Sequence, residues 1–241
     1  MKILTGKIPQ SRRCLLYAVH GIGKSTWAAS APNCIILNIE DGLNDVECNR
    51  TEHLTTMDGI NESLMWLANN KHDFKNIAID SVDWLEAIIH ADVAKAAGKS
   101  SIADIGYAAG YKQALPIWDK LLFKLDWLRT EKKMNVIFIA HTAIVKHSDP
   151  EHETYDRYQP ALDKHAAAML MEYCDEILFA SYRVFIRKED QGFNKERAIA
   201  VDGNERYVRT QETASCLAKN RLGMPPEIEF SWAAYQSHFP A

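Results

Sequence analysis

The sequence predicts an α/β fold: a mostly parallel central sheet with helices on both faces and an antiparallel extension at the C-terminal end. Three observations predict it. Short apolar runs alternate with segments of helical period, the pattern of βαβ units. The first of these runs passes through a glycine-rich stretch directly into a helix start. Beyond residue 181 the pattern changes to closely spaced strand-like segments separated by turn residues, as in antiparallel pairing.

The apolar runs are 14–17 (CLLY), 34–39 (CIILNI), 76–80 (NIAID), 136–141 (VIFIAH) and 176–180 (EILFA). All are strand-sized and far short of the roughly 20 residues that span a bilayer. Leu115, Trp118, Leu121, Leu122, Leu125 and Leu128 recur at helical spacing, with Pro116 near the expected start, where its missing N–H is harmless. A shorter helix carries Leu64 and Leu67, with Asp58 or Asn61 as its cap. The antiparallel part, about 182–231, contains 183–186, 197–201 and 206–210, with Gln191-Gly192 and Asp202-Gly203-Asn204 between them. Asp-Gly between strand-like segments reads as a hairpin turn. Residues 1–12 read as a short lead and 13–241 as one domain. Two stretches, 95–112 and 142–164, lack strong periodicity, and structureless segments of that length are usually functional.

Composition excludes several classes. The chain has 241 residues, 47% hydrophobic and 25% charged, so it is neither disordered nor collagen-like. Five scattered cysteines (Cys14, Cys34, Cys48, Cys174, Cys216) form no C-x-x-C pair. Neither a zinc site nor a disulfide framework follows, and a reducing cytoplasm fits. The first residues contain no export signal. The formal net charge of −4 and pI near 6.1 give no bulk positive field for nucleic acid.

Residues 15–26 read LLYAVHGIGKST. This is the phosphate-loop arrangement of strand, glycine-rich turn and helix start. Ala18, Val19, His20, Gly21, Ile22, Gly23, Lys24, Ser25 and Thr26 form the candidate nucleotide cradle. Its backbone N–H groups converge on phosphates, Lys24 neutralises the β- and γ-oxygens, and Ser25 ligates Mg²⁺. Ala18 stands where the usual pattern has its first glycine. A dinucleotide-binding reading fails because Gly21-x-Gly23 continues into Lys24-Ser25.

Asp80 ends an apolar run, as a Mg²⁺-supporting carboxylate does in this class. Ser81 follows it, so a general base must come from elsewhere. Glu40, or Asp41 beside it, closes the preceding strand. Parallel strands bring their C-terminal ends to one edge, which places that acid next to the γ-phosphate. His141 ends the 136–141 run at the same edge, where it is placed to sense the γ-phosphate and pass that state to the segment beyond.

Together these residues resemble the RecA-like recombinase ATPases. The resemblance rests on the phosphate loop, Glu40, Ile79-Asp80-Ser81-Val82, the strand ending at His141, and 217–225 (LAKNRLGMP). With Asp149-Pro150 and 173–180 (YCDEILFA), it is closest to the phage nucleotide-binding branch that includes the Sak-group single-strand-annealing proteins. It covers roughly 13–230. It implies a RecA-like core with ATP and Mg²⁺ as cofactors, assembly into a ring or filament, and binding of single-stranded DNA. It also implies that Lys219 and Arg221 reach a neighbour's γ-phosphate, and that the two aperiodic stretches are DNA loops. Lys99, Tyr107, Tyr111 and Lys112 in the first, and Lys146, Tyr155 and Tyr158 in the second, then supply cations and stacking rings. In one respect the sequence departs from the resemblance: about a dozen residues precede the first strand, so the separate N-terminal arm that joins cellular RecA subunits is not expected. The sequence leaves two rivals open, a nucleotide-gated binding module (a helicase loader or packaging accessory) and a small-molecule kinase.

Overall fold

Alternation inside each apolar run decides how the sheet is covered. The computed structural model describes residues 3, 5, 6, 8–151, 153–190 and 196–240, with side chains outside 185–202. Strands β1 (Arg13–Ala18), β2 (Cys34–Asn38), β3 (Asn49–Arg50), β4 (Asn76–Asp80), β5 (Asn135–His147) and β7 (Glu176–Asp190) pair in parallel in the order β7-β1-β5-β4-β2-β3. Leu15, Tyr17, Leu37, Ile77, Ile79, Val136 and Phe138 point to one face, and Cys14, Leu16, Ile36, Ala78, Ile137 and Ile139 to the other. Both faces are apolar and buried, so each strand reads as a continuous hydrophobic run.

The first face is covered by helices α2 (Met57–Asn69), α3 (Val82–Ala96), α4 (Ala109–Glu131) and α5 (Lys164–Tyr173). The second is covered by the short helices α1 (Lys24–Ala29) and α6 (Trp232–Gln236), where Trp27, Trp232 and Tyr235 pack together. The expected fold class is thus the one observed: a mostly parallel central sheet with helices on both faces. Its C-terminal extension adds antiparallel strands β8 (Glu196–Arg209) and β10 (Glu227–Glu229) beyond β7. The short strand β9 (Lys219–Asn220) pairs with the start of β7.

Registers align the strand ends that matter. Ala18 pairs with His141, Asn38 with Asp80, and Asp80 with Ile139. One edge of the sheet therefore carries the ends of β1, β2 and β4 and the His141 position on β5, which is where parallel α/β sheets bind ligands.

Several local expectations are corrected. Strand β5 does not stop at His141. It continues to His147 and pairs antiparallel with β6 (Tyr155–Pro160), so most of 142–164 is a two-stranded arm rather than a loop. In 95–112, Lys95 belongs to α3 and Tyr111 and Lys112 to α4, leaving a connection with two 3₁₀ turns. Helix α4 starts earlier than its leucine pattern, so Pro116 lies inside it rather than at its start. Helix α2 is capped by Thr56, whose hydroxyl accepts from Gly59 N (3.2 Å), not by Asp58 or Asn61. Asp202-Gly203 is not a hairpin turn: β8 runs through it with a register shift opposite Tyr182–Val184, which absorbs the extra residues as a bulge. Gln191-Gly192 lies outside the described residues.

The start of α4 depends on one glycine. Tyr107 and Ala108 both adopt left-handed φ (57° and 54°) to turn the chain into the helix. A Cβ on Gly110 would lie 2.7 Å from Ile102 Cγ1 and 2.8 Å from the Ile102 carbonyl oxygen. In an open helix Gly→Ala stabilises by about 1 kcal/mol. Here backbone blocks the added methyl, so Gly110→Ala is expected to destabilise by about 1–3 kcal/mol. Urea denaturation checks the sign.

Candidate nucleotide site

Glycine is required in the cradle at two positions. Gly21 (φ 73°) and Gly23 (φ 99°) occupy the left-handed region, and Gly23 delivers the chain into α1 at Lys24. Nothing lies within 4 Å of a Cβ built on Gly21, so the backbone there is open to a ligand. Ala18 is fully buried at the end of β1 and is not among the positive-φ residues, which is why alanine serves where the usual pattern has glycine. Ile22 is fully buried and anchors the loop, while His20 and Thr26 lie on its exposed side and Val19 is half-buried.

Lys24 is buried, and its Nζ donates to the carbonyls of Val19 (3.3 Å) and Ala18 (3.5 Å). Burial lowers its pKa, opposed by the carboxylates of Glu40, Asp80 and Asp83. Asp80 is buried at the end of β4, and burial raises its pKa against a hydrogen bond from the Ser25 hydroxyl. A buried carboxylate bonded to a hydroxyl at the mouth of a phosphate loop fits a hard divalent cation that takes its remaining ligands from water and phosphate. Among the described residues no group of three or more His, Cys, Asp and Glu side chains could hold a metal ion by itself.

Glu40 follows β2, and its backbone N–H donates to the Asp80 carbonyl (3.1 Å), as does that of Ile39 (3.0 Å). Its carboxylate faces the cleft, 3.4 Å from His141 Nε2. Asp41 adopts φ 59° and turns away toward Asn38 (3.5 Å) and His53 (3.9 Å). Of the two acids, Glu40 is the one that lines the 310 Å³ cleft, with His20, Lys24, Ser25, Asp80 and His141.

Three residues at the site, Asp83, Arg206 and Tyr182, were not foreseen from sequence. Asp83, in the first turn of α3, accepts from His141 Nδ1 (2.8 Å) and from the His141 backbone N–H (3.0 Å). From the C-terminal extension, Arg206 Nη1 donates to the Ile22 carbonyl (3.0 Å) and the Tyr182 hydroxyl to the Gly21 carbonyl (3.3 Å). Asp83 looks in sequence like any acid in a helix's first turn. Arg206 is one of many arginines in its segment, and nothing there marks its reach to the phosphate loop.

Lys219 and Arg221 lie at the other end of the sheet, beside the start of β7. Lys219 Nζ donates to the carbonyls of Met171 (2.8 Å) and Cys174 (2.7 Å), closing the C-terminal end of α5. Arg221 bonds Asp175 (3.1 Å) with about half its side chain exposed.

The candidate DNA residues are dispersed. Tyr107 is fully exposed, and Lys99, Lys112 and Lys146 are exposed. Tyr111 sets its ring against His90 (5.3 Å), and Tyr155 against His147 (5.3 Å). Tyr158 is not free to stack on a base: its ring lies on Phe179 (5.1 Å) and packs against the core.

This fold and cleft define a nucleotide-binding P-loop ATPase core. The chain belongs to the AAA domain family, whose model matches residues 10–222. No curated protein matches it. Among solved structures it is similar to the RadB recombinase, at 14% identity and TM-score 0.43 over 82% of this chain and 88% of that one. No helix among the described residues is long and apolar enough to cross a membrane.

Helix α3 also holds the arm. One turn beyond Asp83, buried Glu86 accepts the Asp163 N–H at 2.9 and 3.1 Å, where β6 hands over to α5. Burial pushes its pKa up to about 7 from 4.5. A raised carboxyl pKa favours the folded state below 4.5 and loses that contribution as pH rises through 7. Glu86→Gln is therefore expected to raise the urea midpoint at pH 8 relative to the parent chain and to change it little near pH 4.5; equilibrium unfolding at the two pH values checks this.

Proposed function

We propose that this chain is a Mg²⁺-dependent ATPase of phage-type DNA recombination, acting in the cytoplasm as an oligomer that binds or anneals single-stranded DNA, in the manner of the Sak group it resembles. The observation that supports this best is the convergence of Lys24, the Ser25–Asp80 pair and Glu40 on one cleft over an open glycine cradle. The cradle N–H groups and Lys24 hold the phosphates, and Ser25 and Asp80 hold the cation. Magnesium bound there supplies charge neutralisation on the phosphate oxygens. Glu40 takes the proton of the attacking water, and His141, at ion-pair distance of 3.4 Å, lies beside its oxygen. Because Lys219 is engaged by helix carbonyls, Arg221 is the better placed of the pair to reach a neighbour's nucleotide. Such a cation stabilises the transition-state charge and makes turnover depend on assembly.

DNA binding in this reading rests on exposed Lys99, Tyr107 and Lys112 beside α4 and on Lys146 of the β5–β6 arm, multiplied by assembly. Free phosphate as product supports hydrolysis, whereas a phosphorylated acceptor would identify a kinase. Lys24→Ala is expected to lower kcat at least about 100-fold; phosphate release at the parent rate would sink the catalytic reading. Mixing Glu40→Gln with Arg221→Ala should restore activity at composite interfaces, which a phosphate-release assay detects. Affinity for a fluorescent single strand should fall steeply with salt. Tyr107→Ala should weaken it by about 1–3 kcal/mol, read by anisotropy.

A further inference from the structure

His141 meets a carboxylate at each ring nitrogen. Nδ1 lies 2.8 Å from Asp83 and Nε2 lies 3.4 Å from Glu40, while the backbone N–H of the same residue donates to the second Asp83 oxygen at 3.0 Å. Ionised carboxylates only accept hydrogen bonds. A neutral imidazole has one N–H and would turn a lone pair toward one of the two acids, whereas an imidazolium donates to Asp83 and sets its second N–H at ion-pair distance from Glu40. The ring is largely enclosed, with 13% of the side chain exposed, and it stacks on His20 at 4.6 Å. The charged groups facing it are Asp83 from α3, Glu40 from the end of β2, Asp80 from the end of β4 and Lys24 from α1. Three carboxylates thus oppose one ammonium. The bond to Asp83 is the largest influence on the ring and raises the His141 pKa against burial and Lys24.

We propose that Asp83 is a positioning residue that keeps His141 protonated and aimed at Glu40, so that the cleft contains a second cation besides Lys24 from its own chain. By holding both the backbone and the ring of one residue, Asp83 fixes where the ring points. Burial opposes its charge, but the bonds from the His141 ring and backbone outweigh burial and lower its pKa, and the first turn of α3 is a place where a negative charge is favoured. The inference rests on the hydrolytic reading for its consequence: a cis cation at the cleft supplements whatever a neighbour contributes in trans. As pH rises through the His141 pKa that cation is lost, so turnover should fall on the alkaline side.

Asp83→Asn tests this, since it keeps an oxygen for the backbone N–H and removes the charge. In the nucleotide-free protein, the His141 ring signal, assigned by its loss in His141→Gln, should titrate about one pH unit lower than in the parent. An unchanged midpoint overturns the proposal. If Asp83→Asn does not fold, Glu40→Gln removes the acid from the other nitrogen and should lower the midpoint by a smaller amount; no movement there also overturns it. In turnover, Asp83→Asn should cut kcat about 10- to 100-fold at pH 8 and shift the alkaline limb to lower pH. In a His141→Gln background it should cut nothing further, and additive losses would show a merely structural role. If the parent chain releases no phosphate, the hydrolytic reading fails, and the ring titration alone decides the role of Asp83.

Discussion

Asp80 is the residue on which the site depends. Its backbone carbonyl takes two N–H groups from the turn after β2, fixing where Glu40 leaves the sheet, and its carboxylate takes the Ser25 hydroxyl at the start of α1. Three elements distant in sequence are thereby referred to one point. A carboxylate buried this deeply is unfavourable unless it is compensated. Lys24 and Ser25 offset part of that cost, while Lys24, itself buried, is favoured by the nearby acids. Burial still outweighs these influences, raising the Asp80 pKa and lowering that of Lys24, and the cleft gathers their opposite charges at one point.

What could be read from sequence follows from what each signal encodes. Strands β1, β2 and β4 were legible because they are buried on both faces and leave unbroken apolar runs. The phosphate loop was legible because backbone geometry demands glycine at 21 and 23 whatever the ligand. The outer half of β5 and all of β6 were not, because 142–160 mixes apolar, charged and turn-forming residues with one face in solvent. Their pairing is set by register with each other rather than by burial. Pro116 misled for a related reason: helix α4 is packed by Ala114, Trp118 and the leucines along its length, and tertiary packing tolerates the missing N–H.

At the site, Asp80 ends β4, Glu40 lies in the turn after β2 and His141 lies within β5. All three line the cleft, since parallel topology carries these positions to one edge. The partners that orient them were hidden. Asp83 and Arg206 act through contacts between elements far apart in the chain, and a single sequence contains no trace of such pairings. The tyrosines show the converse limit. Tyr158 and Tyr107 look equivalent in sequence, but one is half-buried against the core beside Phe179 and the other stands in solvent.

The continuous course of β5 has a mechanical consequence. From His141 to His147 the strand extends about 20 Å beyond the cleft, at roughly 3.3 Å per residue. It is braced by β6, and the return of the chain is tied to its root where the Ala161 N–H meets the His141 carbonyl at 2.9 Å. A braced ribbon has little slack along its length. A tilt of a few degrees at its root therefore emerges as a displacement of ångströms at its tip, and the arm is a lever whose fulcrum is the histidine that lines the cleft.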